Sequence, residues 1–286
     1  MPETQIKRVD LHCHSVASMR SVELGQREQR MAENEPTPAL IYAQARRRGM
    51  DFVTVTDHDT FTDVNLINRR ADCFAGIELT CRFPEDRKKV HVLVWGLSRA
   101  DHQNLRAISF NIYQVAQYLA DHRLAHSVSH TINRKTSGLD LWHIERLLLL
   151  FKGFECFNGA DDVFDFGQVE LLIDQLAPEE IEKLFMKHGL EPFWPEPHIK
   201  ARTAGSNEYT LETIGKIWTE FPPGTQTVED VLNHLRTGNC RPGCHSFKVK
   251  TYTPATTGDP LGQSWVGFPT PSPSKYDNSQ ATPPRE

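Results

Sequence analysis

Apolar and polar positions alternate in short β-rich runs along the chain, with longer stretches of helical period between them. "IKRVDLH", "DFVTVT", "CFAGIEL", "VHVLVWG", "LAHSVSH" and "GFECFN" read as strands. "PTPALIYAQARRRG" reads as a helix entered through Pro38 and stopped by Gly49. One long helix is predicted from Ala100 to His122 and another over "LDLWHIERLLLLF". Two more cover "DVFDFGQVELLIDQLAPEEIEKLFMKHG", broken at Pro178, and a capped one covers "TVEDVLNHLRTG", with Gly238 past its end. Strands alternating with helices imply βα units around a parallel sheet. Past Lys250 the chain turns rich in Pro, Ser, Thr and Gly with few aliphatics. Residues 1–250 are therefore expected to form the folded domain and 251–286 a flexible tail.

The polar positions at the ends of these runs carry the candidate chemistry. In "RVDLHCHS", Asp10, His12 and His14 occupy alternate positions, so a strand would project the two imidazoles together. Such a pair is half of a tetrahedral metal shell. Asp57, His58 and Asp59 follow "FVTVT", Glu78 closes "CFAGIEL", His91 lies on "VHVLVWG", and His126 and His130 share one parity in "LAHSVSH". Parallel sheets and barrels place ligands at the carboxyl ends of their strands. A shared metal centre there satisfies several buried imidazoles at once.

Composition narrows the function classes. The 286 residues carry a net charge of −5, with 38% hydrophobic and 24% charged residues, as in ordinary soluble domains. That balance gives no general surface for nucleic acid or an anionic membrane, so an anionic substrate needs local positive charge, which metal ions supply. No apolar run approaches the roughly 20 residues that span a bilayer. The start, "MPETQIKRVD", lacks a basic-then-apolar leader, and a cytoplasmic protein is expected. The six cysteines are scattered and read as reduced core residues, not a disulfide framework.

The series "DLHCHS", "VTVTDHDT", "GIELT", "KVHVLVWG", "HSVSH", "FECFNG" and "TAGSNEYT", running in order from about Val9 to Cys240, resembles the PHP (polymerase and histidinol phosphatase) family. It is most similar to stand-alone PHP proteins carrying a "GMDFVTxTDHDT" segment. The resemblance implies a distorted (β/α)7 barrel with divalent metal ions at the carboxyl ends of its strands and phosphoester hydrolysis as its chemistry. Position by position it implies His12 and His14 as ligands of one ion, Glu78 as a bridge between two, His91 and His130 on the second, and His58 on a third. Imidazoles around a bridging carboxylate suit Zn, Mn or Fe better than Ca or Mg.

Departures from the family pattern cluster at the end of the site. Gly205, Ser206, Asn207, Glu208, Tyr209 stand where Gly-Ser-Asp-x-His is usual, so Asn207 offers an oxygen without the charge and Tyr209 replaces an imidazole. Met19 and Arg20 replace a further acid or histidine. His58 is thereby left nearly alone, and two cations are expected. Arg20 is a candidate to hold a substrate phosphate through its planar fork. Asp57 and His58 are candidates to carry a proton or orient a ligand, with Asp59 as a further one. The expectation is a metal-dependent phosphoric ester hydrolase acting on a small phosphorylated substrate or nucleotide. The alternative is a degenerate PHP domain, with weakened or lost catalysis, serving as a binding or regulatory module. An amidohydrolase-type reading, which also opens on a His-x-His strand, is disfavoured by "TDHDT" and "GIELT".

Overall fold

The computed structural model describes residues 5–21, 36–62, 70–130, 138–160, 168–207 and 209–245, without the side chains of residues 19–21. The tail expected over 251–286 lies outside the described residues. In chain order the elements are β1 (Lys7–Val9), α1 (Val16–Ser21), α2 (Pro38–Arg47), β2 (Gly76–Arg82), β3 (Lys89–Trp95), α3 (Arg99–Ile108), α4 (Ile112–Asp121) and β4 (Ala125–Val128). They continue with α5 (Leu141–Leu150), β5 (Gly153–Asn158), α6 (Gln168–Asp174), α7 (Pro178–His188), β6 (Ala201–Gly205), β7 (Ile217–Phe221), α8 (Val228–Thr237) and β8 (Arg241–Cys244).

β2 through β6 pair in sequence order into a five-stranded sheet, while β1, β7 and β8 form a three-stranded antiparallel one. β2–β3 and β3–β4 are antiparallel; β4–β5 and β5–β6 are parallel. The expected parallel sheet is therefore mixed, and the cause is length. The link between β2 and β3, residues 83–88, is too short for the crossover of about a dozen residues that a parallel return needs. Reversal of β3 also means that His91 reaches the site from the amino end of its strand, not the carboxyl end.

"DFVTVT" forms no ladder: Val53 bridges Cys73 and His58 bridges Glu78 singly. Backbone bonds from Asp51 N to Arg8 O and from Thr56 N to Cys13 O, both 2.8 Å, tie this segment to β1 and its continuation. β6 meets β7 through a side chain, with Thr219 Oγ1 accepting from Ala204 N (2.8 Å) and donating to Ala204 O (3.0 Å). The architecture is thus mixed α/β, and no continuous ladder closes a barrel among the described residues.

The single helix expected from Ala100 to His122 is two helices. Asn111 turns its side chain onto the Tyr113 and Gln114 amides and caps α4, which ends α3 one turn earlier. The break at Pro178 and the stop at Gly238, where φ is 81°, are where the pattern places them. Thr227 and Asp230 close a capping box at the start of α8.

A small apolar cluster joins Leu11, Phe52, Phe74, Leu93, Trp95 and Phe221 to Val231, Leu232 and Leu235 of α8. Leu93 and Trp95 share a face of β3 with His91, so one strand face passes from site residue to apolar floor. The Trp95 indole N–H donates to Leu11 O at 3.2 Å, anchoring that floor directly beside His12. All six cysteines are free thiols, four of them buried. Among the described residues no helix is long and apolar enough to cross a membrane.

Candidate metal centre

Glu78 is fully buried in β2, and five imidazole nitrogens surround its carboxylate. Oε2 lies 3.1 Å from His12 Nε2, 3.2 Å from His14 Nε2 and 3.2 Å from His58 Nδ1. Oε1 lies 3.2 Å from His91 Nδ1 and 3.0 Å from His130 Nε2, and accepts from Ser129 Oγ at 3.1 Å. Four separate parts of the chain thus converge on one carboxylate. The family resemblance sets His58 apart on a third ion; the structure puts it on the same oxygen that His12 and His14 face.

The outer partners fix which nitrogen carries the proton. His12 Nδ1–H donates to Glu155 Oε1 at 2.8 Å. His14 Nδ1–H donates to Ser18 Oγ at 3.1 Å, because the Ser18 hydroxyl is itself given to Asp57 Oδ1 at 2.8 Å. Both Nε2 atoms, 3.1 Å from each other, are therefore the ones able to offer lone pairs to a cation. Asn207 Oδ1 lies 3.1 Å from His14 Nε2 as well. Four atoms that can each offer a lone pair to a cation, His12 Nε2, His14 Nε2, Glu78 Oε2 and Asn207 Oδ1, lie together; in the cation-free cluster the proton held on His12 sits between its Nε2 and Glu78 Oε2. Ligands of one tetrahedral ion at about 2.0–2.2 Å stand roughly 3.3–3.6 Å apart, so this donor set fits a divalent cation. Glu78 Oε1, His91 Nδ1 and His130 Nε2 form a second set, the two imidazole nitrogens 3.2 Å apart.

Charge in the cation-free cluster follows the same geometry. Burial opposes a proton on His12, but the Glu155 and Glu78 carboxylates prevail and hold its pKa well above the ordinary range. Burial likewise works against charge on Glu78, yet His12, His91 and His58 keep it well below the usual carboxylate range. Desolvation lowers His58 to about 3, with His14 and His91 adding to that, so it stands as a neutral ring.

The remaining candidates sort by what they touch. Asp57 does not face the four acceptors with a free oxygen. It accepts from Ser15 N (2.7 Å), Ser15 Oγ (2.6 Å), Ser18 Oγ and Thr62 Oγ1, and so braces the turn that carries His14. Asp59 accepts from Thr80 N at 2.8 Å. The side chain of Arg20 and all of Glu208 lie outside the described residues. His126 turns away from the cluster and packs on Trp194 and Phe151, its Nε2 accepting from Lys152 N at 3.0 Å.

Sequence reasoning passes over Ser18 and Ser129, whereas Glu155 and Asn158 lie in the "FECFNG" segment of the family resemblance, Glu155 expected to line the pocket and Asn158 to shape the turn with Gly159. Glu155, Asn158, Ser18 and Ser129 each bond a cluster residue or its partner. Tyr209 stacks on His14 (centroids 4.3 Å apart, 13° between planes) and its hydroxyl lies 2.9 Å from His58 Nε2. Asp10, though in register with His12 and His14, accepts from Ser206 N (2.9 Å), Gly215 N (2.8 Å) and His12 N (3.3 Å). Burial raises its pKa to about 6 against those three amides. A Cβ on Gly205 would sit 2.3 Å from His12 Cβ and 2.5 Å from His12 N, so only glycine permits this approach of β6 to the His12 segment.

No protein-family model matches the chain, and no curated protein matches it in sequence. Among solved structures it is similar to a two-domain protein from Bacteroides vulgatus containing a predicted PHP-like metal-dependent phosphoesterase. That match has a TM-score of 0.52 at 13% identity and covers 84% of this chain and 65% of the other, under two thirds of its length. It is also similar to PsfC from Pseudomonas syringae, with a TM-score of 0.50 at 15% identity over 85% of this chain and 93% of that one. The chain has the fold of a PHP-like domain.

Proposed function

We propose that this protein is a metal-dependent phosphoesterase of the PHP type, acting on a small phosphorylated compound or a nucleotide. One observation carries the reading: four side-chain atoms that can each offer a lone pair, from His12, His14, Glu78 and Asn207, converge, beside a second set that uses the other oxygen of the same glutamate. On this reading His12, His14, Glu78 and Asn207 hold one divalent ion and Glu78, His91 and His130 another, with His58 beside both. Bound there, Zn, Mn or Fe would supply Lewis-acid chemistry, neutralising phosphoester charge and acidifying water. The chain's own part is orientation. Glu155 and Ser18 set the tautomers of His12 and His14, Asp57 braces Ser15 and Ser18, and Tyr209 holds His58. Asp57 is accordingly an orienting residue, His58 a proton carrier at Nε2, and Arg20 a phosphate-holding residue. The finer fold reading belongs to the same proposal: a distorted (β/α)7 barrel over residues 1–250, with residues 51–58 as its irregular strand. So does a cytoplasmic setting, which fits six reduced thiols.

The test is metal content of protein purified without chelator, followed by hydrolysis of a phosphoester panel with Mn or Zn added back. About two ions per chain and turnover lost in His12→Ala and Glu78→Gln support the proposal. Ions bound without turnover of any ester would make the chain a binding module. No ions would reject both.

A further inference from the structure

We propose that Asn158 and Asn207 form a matched amide pair that commits the His12–His14–Glu78 site to a neutral fourth donor. An aspartate at 207 would then weaken the site instead of strengthening it. This inference rests on the cation-site reading above. Asn158 is buried at the end of β5, and fixed groups set its orientation at both ends. Its Oδ1 accepts from the Ala160 backbone N–H at 2.9 Å, and its Nδ2 donates to the Glu155 carboxylate at 2.7 Å. Flipping it would set an NH2 against an amide N–H and an oxygen against a carboxylate. Asn158 therefore presents an acceptor to residue 207.

Asn207 answers with a donor: its Nδ2 lies 3.3 Å from Asn158 Oδ1, which turns its own Oδ1 toward His14 Nε2. The backbone holds it there, with Asn207 N donating to His12 O at 2.7 Å. Its φ of 47° lies in the left-handed region that asparagine tolerates better than most residues. A carboxylate at 207 would point one oxygen at the cation and the other at Asn158 Oδ1, an acceptor that cannot turn away. Glu155, already hydrogen-bonded to both His12 and Asn158, supplies the site's second negative charge from behind. The loss of an acid at 207 is thus built into the surrounding network.

The experiment uses the full chain as wild type, Asn207→Asp, Asn158→Ala and the double variant, with Asn158→Ser replacing alanine if Asn158→Ala does not fold. Mn2+ affinity is measured by calorimetry, and urea stability after chelator treatment. Asn207→Asp is expected to weaken Mn2+ binding about tenfold with Asn158 present and to tighten it once Asn158 is truncated. The cation-free single variant should unfold at lower urea than wild type, with that penalty absent in the double variant. Tighter binding by Asn207→Asp with Asn158 intact, or additive effects of the two changes, would overturn the pairing alone. Wild-type affinity no better than that of His12→Ala would overturn the cation site and the inference together.

Discussion

Replacing Gly205 by alanine tests whether the site depends on the close approach of two chain segments. The added Cβ would meet His12 at 2.3 Å from Cβ, 2.5 Å from N and 2.8 Å from Cα, all atoms of the backbone or directly attached to it. Carbon atoms pack best at about 3.5–4.0 Å, so the segments must part by more than about 1 Å. No rotamer change can relieve the contact. Overpacking of this kind costs about 1–3 kcal/mol. The same displacement strains the bonds from Asn207 N to His12 O and from Ser206 N to Asp10, and draws Asn207 away from His14. Cation affinity should fall about 10–100-fold, as when a ligand loses its supporting partner. Gly189→Ala is the matched control, since Gly189 has φ of 63° and nothing within 4 Å of an added Cβ. It should cost about 1–2 kcal/mol through backbone conformation alone. Urea denaturation of chelator-treated protein should show both variants destabilised, and Mn2+ calorimetry should show only Gly205→Ala impaired. Wild-type affinity in Gly205→Ala, or equal weakening by Gly189→Ala, would refute the argument.

His126 should make stability depend on pH well away from the cluster. Its Nδ1–H donates to Leu124 O and its Nε2 accepts from Lys152 N–H, so a second proton would face a donor, and burial pushes its pKa from 6.5 to about 4. Because the unfolded chain binds the proton more readily, the contribution is complete above pH 6.5. It is lost as pH falls toward 4, about 3 kcal/mol in all; His126→Gln should flatten urea midpoints across that window, and parallel slopes would contradict it. Tyr209→Phe keeps the stack on His14 but removes the hydroxyl from His58 Nε2. Mn2+ affinity should drop about tenfold with little change in cation-free stability, and an unaltered titration would rule out a positioning role. Thr227→Ala removes the cap on α8 and should cost about 1 kcal/mol without altering Mn2+ binding, so a coupled loss of binding would count against α8 contributing only apolar packing.

The elements legible in the sequence are those whose boundaries are local. Pro178 and Gly238 end helices through their own backbone chemistry, and Thr227 caps α8 through a side chain three residues from its target. The Asn111 cap that divides α3 from α4 is equally local, but it sits inside an apolar pattern that both helices continue, so periodicity alone runs through it. The short link between Arg82 and Lys89 also forces the antiparallel turn of β3, a local constraint that the strand–helix alternation behind the parallel-sheet expectation overlooks. β6 and β8 carry little alternation: "ARTAG" and "RPGC" gain their strand geometry from neighbours distant in sequence.

Parity along a strand picked out residues that the structure brings together around Glu78, but misjudged where some of them point. β1 ends at Val9 and β4 at Val128, so His12, His14 and His130 all lie beyond the ladders that would enforce a two-residue period. Asp10 shares the parity of His12 yet turns to the amides of Ser206 and Gly215, and His130, at φ of 32°, leaves the face of His126 altogether. Direction past a strand end is set by whatever partner takes the second polar atom. For His12 that partner is Glu155, 143 residues away, and for His14 it is Ser18, four residues away. Only the second lies within reach of a local pattern. A site built just beyond strand ends announces its chemistry through composition, while its geometry depends on buried acceptors such as Glu155 and Asn158. If the proposed cation site holds, substituting Glu155 or Asn158 should disturb Mn2+ binding just as substituting His12 or Glu78 does.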